Sequence, residues 1–253
     1  MVRDLQVVHL DASGRTRKIP AAHAGQTPLT QRQPVWTPGR HPSERSIATL
    51  WWSATTHELV GCRSLDRLSV AMLLDFNPAV VDFTAWAAQL EWRERGRVRT
   101  LVPDFFVRTA TGATVVVHCP PAAGPSKRWH DQREVLQQAC QEAGWQLGEP
   151  RVPGPMAQSN LRWVSRYRQP RNSDRAVERA LWQAVTAPRP LGDIVRACGV
   201  PRLLALPRLF HMLWRGDLSM DWSLPLGPGA LLQRSDRTAP AATFQPYSLM
   251  SAQ

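Results

Sequence analysis

Asp104 stands between Pro103 and Phe105 in an extended run, and His118 and Cys119 close the next one. A carboxylate, an imidazole and a thiol are the side chains that hold metal ions or move protons. Each also has a plain structural use. A strand-end acid caps a turn, and neighbours on a strand, such as His118 and Cys119, face opposite sides and do not easily serve one ion. A second group is cationic: Arg202, Arg208 and Arg215 lie on or just before one helical segment, with Arg196 on the segment before it. Guanidinium groups so placed grip phosphates or base edges. An ordinary solvated face on an Arg-rich protein accounts equally well for each taken singly. Lys127 and Arg128 precede Trp129, a pairing suited to a nucleic-acid surface. Most of the 11 tryptophans are more simply core, as are Leu209, Phe210, Leu213 and Trp214.

The charge balance points the same way as the arginines. A net charge of +11 draws a protein to polyanions. Lys18 and Lys127 are the only lysines, a skew that a GC-rich coding sequence also produces. From Arg151 onward there are 14 Arg and no Lys against 6 acids, a surplus of +8 that concentrates the basic excess in the C-terminal part. The 253 residues suffice for two domains of ordinary size. No apolar run approaches the roughly 20 residues of a membrane helix, and the N-terminus lacks the pattern of a secretory signal. The four cysteines, Cys62, Cys119, Cys140 and Cys198, form neither a CxxC pair nor a disulfide framework, so a cytoplasmic chain is expected.

The elements that must position these residues follow from periodicity and punctuation. Residues 5–20 predict a hairpin turning at Asp11-Ala12-Ser13-Gly14, followed to residue 46 by an aperiodic arm. Ser64 caps a helix running to Asp75, and Asn77-Pro78 stops it. Extended runs are expected at 80–84, 89–94, 101–108 and 114–119, then a helix over 127–143 ended by Gly144, then a strand at 145–147. That order describes a layered α/β domain with a mixed sheet. A Pro/Gly-rich linker at 148–155 leads to helices near 156–167, 174–185, 191–198 and 205–215, the last with Pro207 in its first turn, and then to a hairpin. Helix, short helix, turn, helix, hairpin is the order of a winged helix. The division expected is a hairpin and arm over 1–46, an α/β domain over 47–150, a winged-helix domain over 155–234 and a disordered tail over 235–253.

Four pieces of the α/β domain carry a family likeness. They are Trp51-Trp52-Ser53-Ala54-Thr55-Thr56 with Gly61 and Ser64, Leu74-Asp75-Phe76-Asn77-Pro78-Ala79-Val80, Pro103-Asp104-Phe105, and Val115-Val116-Val117-His118-Cys119-Pro120-Pro121. The stretch resembles the TnsA family, the endonuclease subunits of heteromeric cut-and-paste transposases. Asn160-Leu161-Arg162-Trp163 and residues 209–215 resemble its actinobacterial branch. The resemblance implies a restriction-endonuclease-like mixed sheet flanked by helices and an integrase-fold transposase as partner. It also implies a Mg²⁺ site built from a helix Glu, the Asp of the Pro-Asp-Phe strand, and an acid or Gln one residue from a Lys or Arg on the next strand.

Water attacking a phosphodiester in line needs Mg²⁺ held by carboxylates of neighbouring elements. On the family's pattern Asp104 alone survives. Arg67 stands at the Glu position, His118 at the acid position and Pro120 at the basic position, while Trp86-Ala87 replaces the family's Gln-Pro. Asp66 adjoins Arg67, but one helical step turns a side chain by about 100°. The expectation is a degenerate nuclease centre (Asp104, His118, Asp66) in a DNA-binding scaffold or regulatory subunit, with no cofactor, partnering a transposase subunit or a TnsA-like paralogue on duplex DNA. Two rivals remain. One is an active endonuclease with Mg²⁺ on Asp104, Asp66 as a second ligand and His118 as ligand or base; the other is a protein adaptor unrelated to transposition.

Overall fold

The Asp11 carboxylate accepts from the Ser13 and Arg15 amides at 2.9 and 3.0 Å, and Gly14 takes φ +77°, so the chain reverses there. This turn joins β1 (Gln6–Leu10) to β2 (Thr16–Pro20) in the computed structural model. The model describes residue 2 and residues 4–38, 47–121, 123–150, 152–235 and 250–251. Two units divide the chain, residues 1–151 with 248–253, and residues 152–247. Residues 39–46 of the expected arm lie outside the described residues. So does the expected tail, apart from Ser235 and the short strand Met250–Ser251. The architecture is mixed α/β. Among the described residues no helix is long and apolar enough to cross a membrane.

In the first unit, β3 (Thr49–Trp52) and β4 (Leu59–Cys62) form a hairpin ahead of α1 (Leu65–Phe76). The Ser64 hydroxyl accepts the Arg67 amide, satisfying one of the free N–H groups of the first turn, and Asn77 leaves helical geometry just before Pro78. Next come β5 (Val80–Ala85), β6 (Ala88–Glu94), β7 (Arg97–Leu101), β8 (Phe105–Thr109), β9 (Thr114–Val117), α2 (Lys127–Ala143) and β10 (Gln146–Glu149). One sheet has the order β2-β1-β6-β7; the other runs β10-β9-β8-β5, with Met250–Ser251 beside β10. Only the β9–β10 pair is parallel. It is connected through α2, as a parallel crossover requires.

The extended run expected over 101–108 starts on the last residue of one strand and continues in another. β7 ends at Leu101, and Val102-Pro103-Asp104 carries the chain into the other sheet, where β8 begins. The opposite passage occurs at Trp86-Ala87 between β5 and β6. β5 pairs with β8 and β6 with β7, so a long two-stranded ribbon is creased at one level, and Trp86 at the crease takes φ +56°. Between the sheets and α2 lies a core of Leu5, Val7, Leu90, Phe106, Val116, Leu136 and Trp145. The segment after β2, expected as an arm packed on another part of the chain, does pack over its first part: Ala21, Ala24 and Leu29 are buried in that core, on two short 3-10 turns.

The second unit contains α3 (Pro155–Val164), α4 (Arg175–Ala184), β11 (Arg189–Pro190), α5 (Leu191–Ala197), α6 (Arg202–Trp214), β12 (Leu218–Met220) and β13 (Leu231–Arg234). Its sheet has the order β11-β13-β12, and Leu161, Leu181, Ile194, Leu209 and Leu213 form its fully buried centre. Helix α6 starts three residues earlier than the sequence suggests, with Pro201 as its cap, so Pro207 falls inside it rather than in its first turn. The lost N–H would have bonded the carbonyl of Leu203, a residue that is 86% exposed, so water can take its place.

At Gly61 an added Cβ would lie 2.3 Å from the Trp86 ring. That ring is buried at the crease, with little room to yield. Gly61→Ala is therefore expected to cost about 1–3 kcal/mol by overpacking. The readout is a lower urea midpoint at unchanged slope; an unchanged midpoint would show that the ring gives way.

Candidate functional site

Asp104 sits on the crease with its backbone pinned on both sides. Its N–H donates to the Val117 carbonyl at 3.0 Å and its C=O accepts the Trp86 amide at 3.3 Å. The residue is 1% exposed, so every charge or dipole near its carboxylate acts through little water. Oδ2 accepts the Cys119 amide at 2.8 Å and lies 3.5 Å from His118 Nδ1. Oδ1 receives both guanidinium groups, Arg63 Nε at 3.0 Å and Arg67 Nε at 3.5 Å. Arg67 also donates through Nη2 to the Cys119 carbonyl at 2.8 Å, bracing α1 against the chain after β9. Arg63 Nη2 donates to the Val102 carbonyl at 3.3 Å, and its guanidinium lies 4.7 Å from the Trp36 ring centre. Trp36 in turn meets Trp86 edge to face at 5.1 Å.

Burial pushes the Asp104 carboxyl up. The His118 contact and the charges of Arg63, Arg67 and His118 outweigh it and hold the pKa below the ordinary carboxylate value. The nearby thiols move the other way: burial, reinforced by the Asp104 charge, raises Cys62 to about 12 and lifts Cys119 well above the usual thiol range. Neither is a nucleophile near neutral pH.

The site brings Asp104, Arg67 and His118 together and leaves Asp66 out. Asp66 is exposed in the first turn of α1, one step round from Arg67, and Pro120 is exposed beyond β9. His118 and Cys119 do not separate as strand neighbours would. β9 ends at Val117, so the alternation has stopped, and the His118 ring and the Cys119 amide both reach Asp104. The residues around Asp104 do not fit Mg²⁺. A hard dication wants several oxygen ligands, including one or two carboxylates. Here the one carboxylate is already engaged by two cations. Among the described residues no group of three or more His, Cys, Asp or Glu side chains is arranged to hold a metal ion.

Arg63 is the site residue that sequence reasoning missed. Its one signal is a basic residue directly before the Ser64 cap, which places it at the mouth of the α1 N-terminus. Trp129, expected at a nucleic-acid surface, instead stacks on His118 with an interplanar angle of 13° and lies under Arg133. Lys127 is exposed beside Asp131, and Arg128 is exposed. In the second unit Arg202 is exposed, Arg196 is exposed but paired with Asp193, and Arg208 is half-buried. Arg215 is tied to Asp217 and, at 3.1 Å, to Glu178, so it braces α6 against α4 rather than standing free for a ligand.

No known family model matches the chain, and no curated protein matches it in sequence. The functional reading accordingly rests on geometry and residue chemistry.

A depressed carboxyl pKa has a definite sign. The folded state binds fewer protons than the unfolded one, so the stabilisation is present above about pH 4 and is lost as pH falls through the lowered value. Asp104→Asn is expected to unfold at lower urea at neutral pH yet to lose less of its stability between about pH 4 and 2 than the wild type. An identical acid limb in the two proteins would show that another group carries it.

Proposed function

We propose that the chain is a DNA-binding, TnsA-like transposition protein whose strand-cutting centre has been replaced by an internal ion-pair cluster, leaving a scaffold or regulatory role beside an integrase-fold transposase. One observation carries this reading. At the carboxylate where the family's pattern places a metal, two guanidinium groups converge on one oxygen. A cation in place of a ligand repels a divalent ion and satisfies the carboxylate that would have bound it.

Topology supports it. Helix α1, the antiparallel run β5-β8-β9, helix α2 and then β10 parallel to β9 is the order of a restriction-endonuclease-like core. In the second unit, α4, β11, α5, α6, β12 and β13 with sheet order β11-β13-β12 follow the winged-helix plan. In that plan α6 is the recognition helix. Arg202 and Arg208 then stand on it as candidate phosphate or base contacts, and Arg196 on the helix before it. Active cleavage draws no support from the site, because Asp66 is exposed and, among the described residues, no second carboxylate reaches Asp104.

The test is direct. Purified protein is expected to retain duplex DNA at low salt, to lose affinity steeply as salt rises, and to leave supercoiled DNA intact with Mg²⁺ or Mn²⁺. Metal-dependent nicking that vanishes in Asp104→Ala would overturn the loss of cleavage.

A second reading, a protein-docking adaptor, is favoured by one feature. The second unit carries a groove of about 320 Å³ lined by Trp163, Tyr167, Leu203, Leu206, Phe210 and Leu226. Under this reading the wild type fails to retain duplex DNA even at low salt, and retention there would overturn it.

A further inference from the structure

Two guanidinium groups share one carboxylate at the crease, which leaves the cluster one positive charge in excess. Neither Arg63 nor Arg67 pairs with a second carboxylate among the described residues. The remaining groups do not cancel the surplus. The backbone carbonyls of Cys119 and Val102 accept from the arginines but carry no net charge, His118 can only add positive charge, and the neighbouring thiols are held protonated. Asp66, on the same turn of α1, faces solvent, where its charge is screened.

The contacts are also incomplete. Arg63 Nε is buried and lies 3.0 Å from Oδ1, but its N–H finds no well-directed acceptor. The Arg67 contact to Oδ1 is long, at 3.5 Å. Yet the pair is not sealed. Arg63 keeps 30% of its side chain exposed and Arg67 12%, so each side chain meets solvent along part of its length although the unpaired Arg63 Nε is itself buried. Trp36 holds the plane of Arg63 from one face, and Cys119 fixes the far end of Arg67. A preset pair of planar forks with surplus charge and unfilled donor capacity matches the tetrahedral anion of a phosphate group.

We infer that Arg63 and Arg67 form a metal-independent phosphate clamp at the position of the vanished metal centre, with Asp104 as the built-in competitor that holds the forks in place until a phosphate arrives. The ligand chemistry is a phosphate group, either a diester of a DNA backbone or a free phosphate. The backbone assignment rests on the DNA-binding reading above; the clamp itself does not.

The experiment has two arms, both free of divalent ions and with EDTA present. In the first, a labelled duplex is titrated against the wild type, Arg63→Gln, Arg67→Gln and Asp104→Asn, each checked for folding by circular dichroism. The Gln variants are expected to bind about tenfold more weakly, with a salt slope lower by about 1. Asp104→Asn, which removes the competitor, is expected to bind more tightly. A metal centre predicts the reverse for Asp104→Asn, and a purely structural ion pair predicts no change in any variant; either result overturns the clamp while leaving DNA binding through the second unit standing. In the second arm, inorganic phosphate is titrated against the wild type while the assigned Nε–H resonances of Arg63 and Arg67 are followed, which needs no variant to fold. Shifts at these two resonances with no duplex binding assign the clamp to a free phosphate ligand and overturn the DNA reading alone. Shifts together with duplex binding assign it to the backbone, and silence at both resonances overturns the clamp.

Discussion

A carboxylate sealed from water must be balanced on the spot, and the first unit is organised around meeting that demand at Asp104. The crease of the ribbon puts the residue where two sheets exchange strands; α1 and the loop before it each send one group to its oxygens, and the segment after β9 sends two. Removing Asp104 would leave two guanidinium groups without their carboxylate in a poorly solvating place, which is far more costly than the pairing is favourable. The cluster therefore fixes the mutual position of four chain segments. It also makes the cations at the site as dependent on Asp104 as Asp104 is on them.

The same economy recurs in the other residues of the family-like pieces. Asp75 is buried at the end of α1 and accepts from Trp51 Nε1, the Ser53 hydroxyl and the amides of Ala54 and Thr55 at 2.8 to 3.0 Å. The Trp-Trp-Ser-Ala-Thr-Thr piece and the Leu-Asp-Phe-Asn-Pro piece are thus two halves of one hydrogen-bonded joint between the β3–β4 hairpin and α1. Buried Asn160 does the equivalent work in the second unit. Its amide donates to the carbonyls of Trp222 and Leu224 at 2.9 and 2.8 Å and accepts the Leu226 amide at 3.2 Å, tying the β12–β13 connection to α3. These residues hold shape, and the chemistry of the site is confined to the cluster on the crease.

What the sequence disclosed follows from how local each cause is. Ser64, Asp174 and Gly144 announce helix ends because the cap is made within a few residues, and the Asp11 turn is equally self-contained. Arg67 was placed at the site by the resemblance, at the position of the family's helix Glu, and Asp66 was turned away by helical register. Arg63 escaped notice because a loop residue has no period to fix its direction, and its stacking on Trp36 links positions far apart in the chain. β7 was missed because Arg97 to Thr100 are all exposed on an edge strand, so no alternation marks it. The break between β7 and β8 was invisible for the opposite reason: apolar residues on both sides of Pro103 look like one strand until the partners are known. Pro207 was misplaced because proline favours a first turn in general, whereas α6 tolerates it where the freed carbonyl meets water.

The pairing of β1 with β6 has a consequence for how the molecule comes into being. Residues 6–9 find their neighbours at 88–91, and Val2 exchanges two hydrogen bonds with the Gln138 side chain, 136 positions away. Strand β1 therefore lacks its neighbour β6 until the elements from β2 to β5 have been synthesised. Such distant partnerships slow folding and expose strand edges meanwhile.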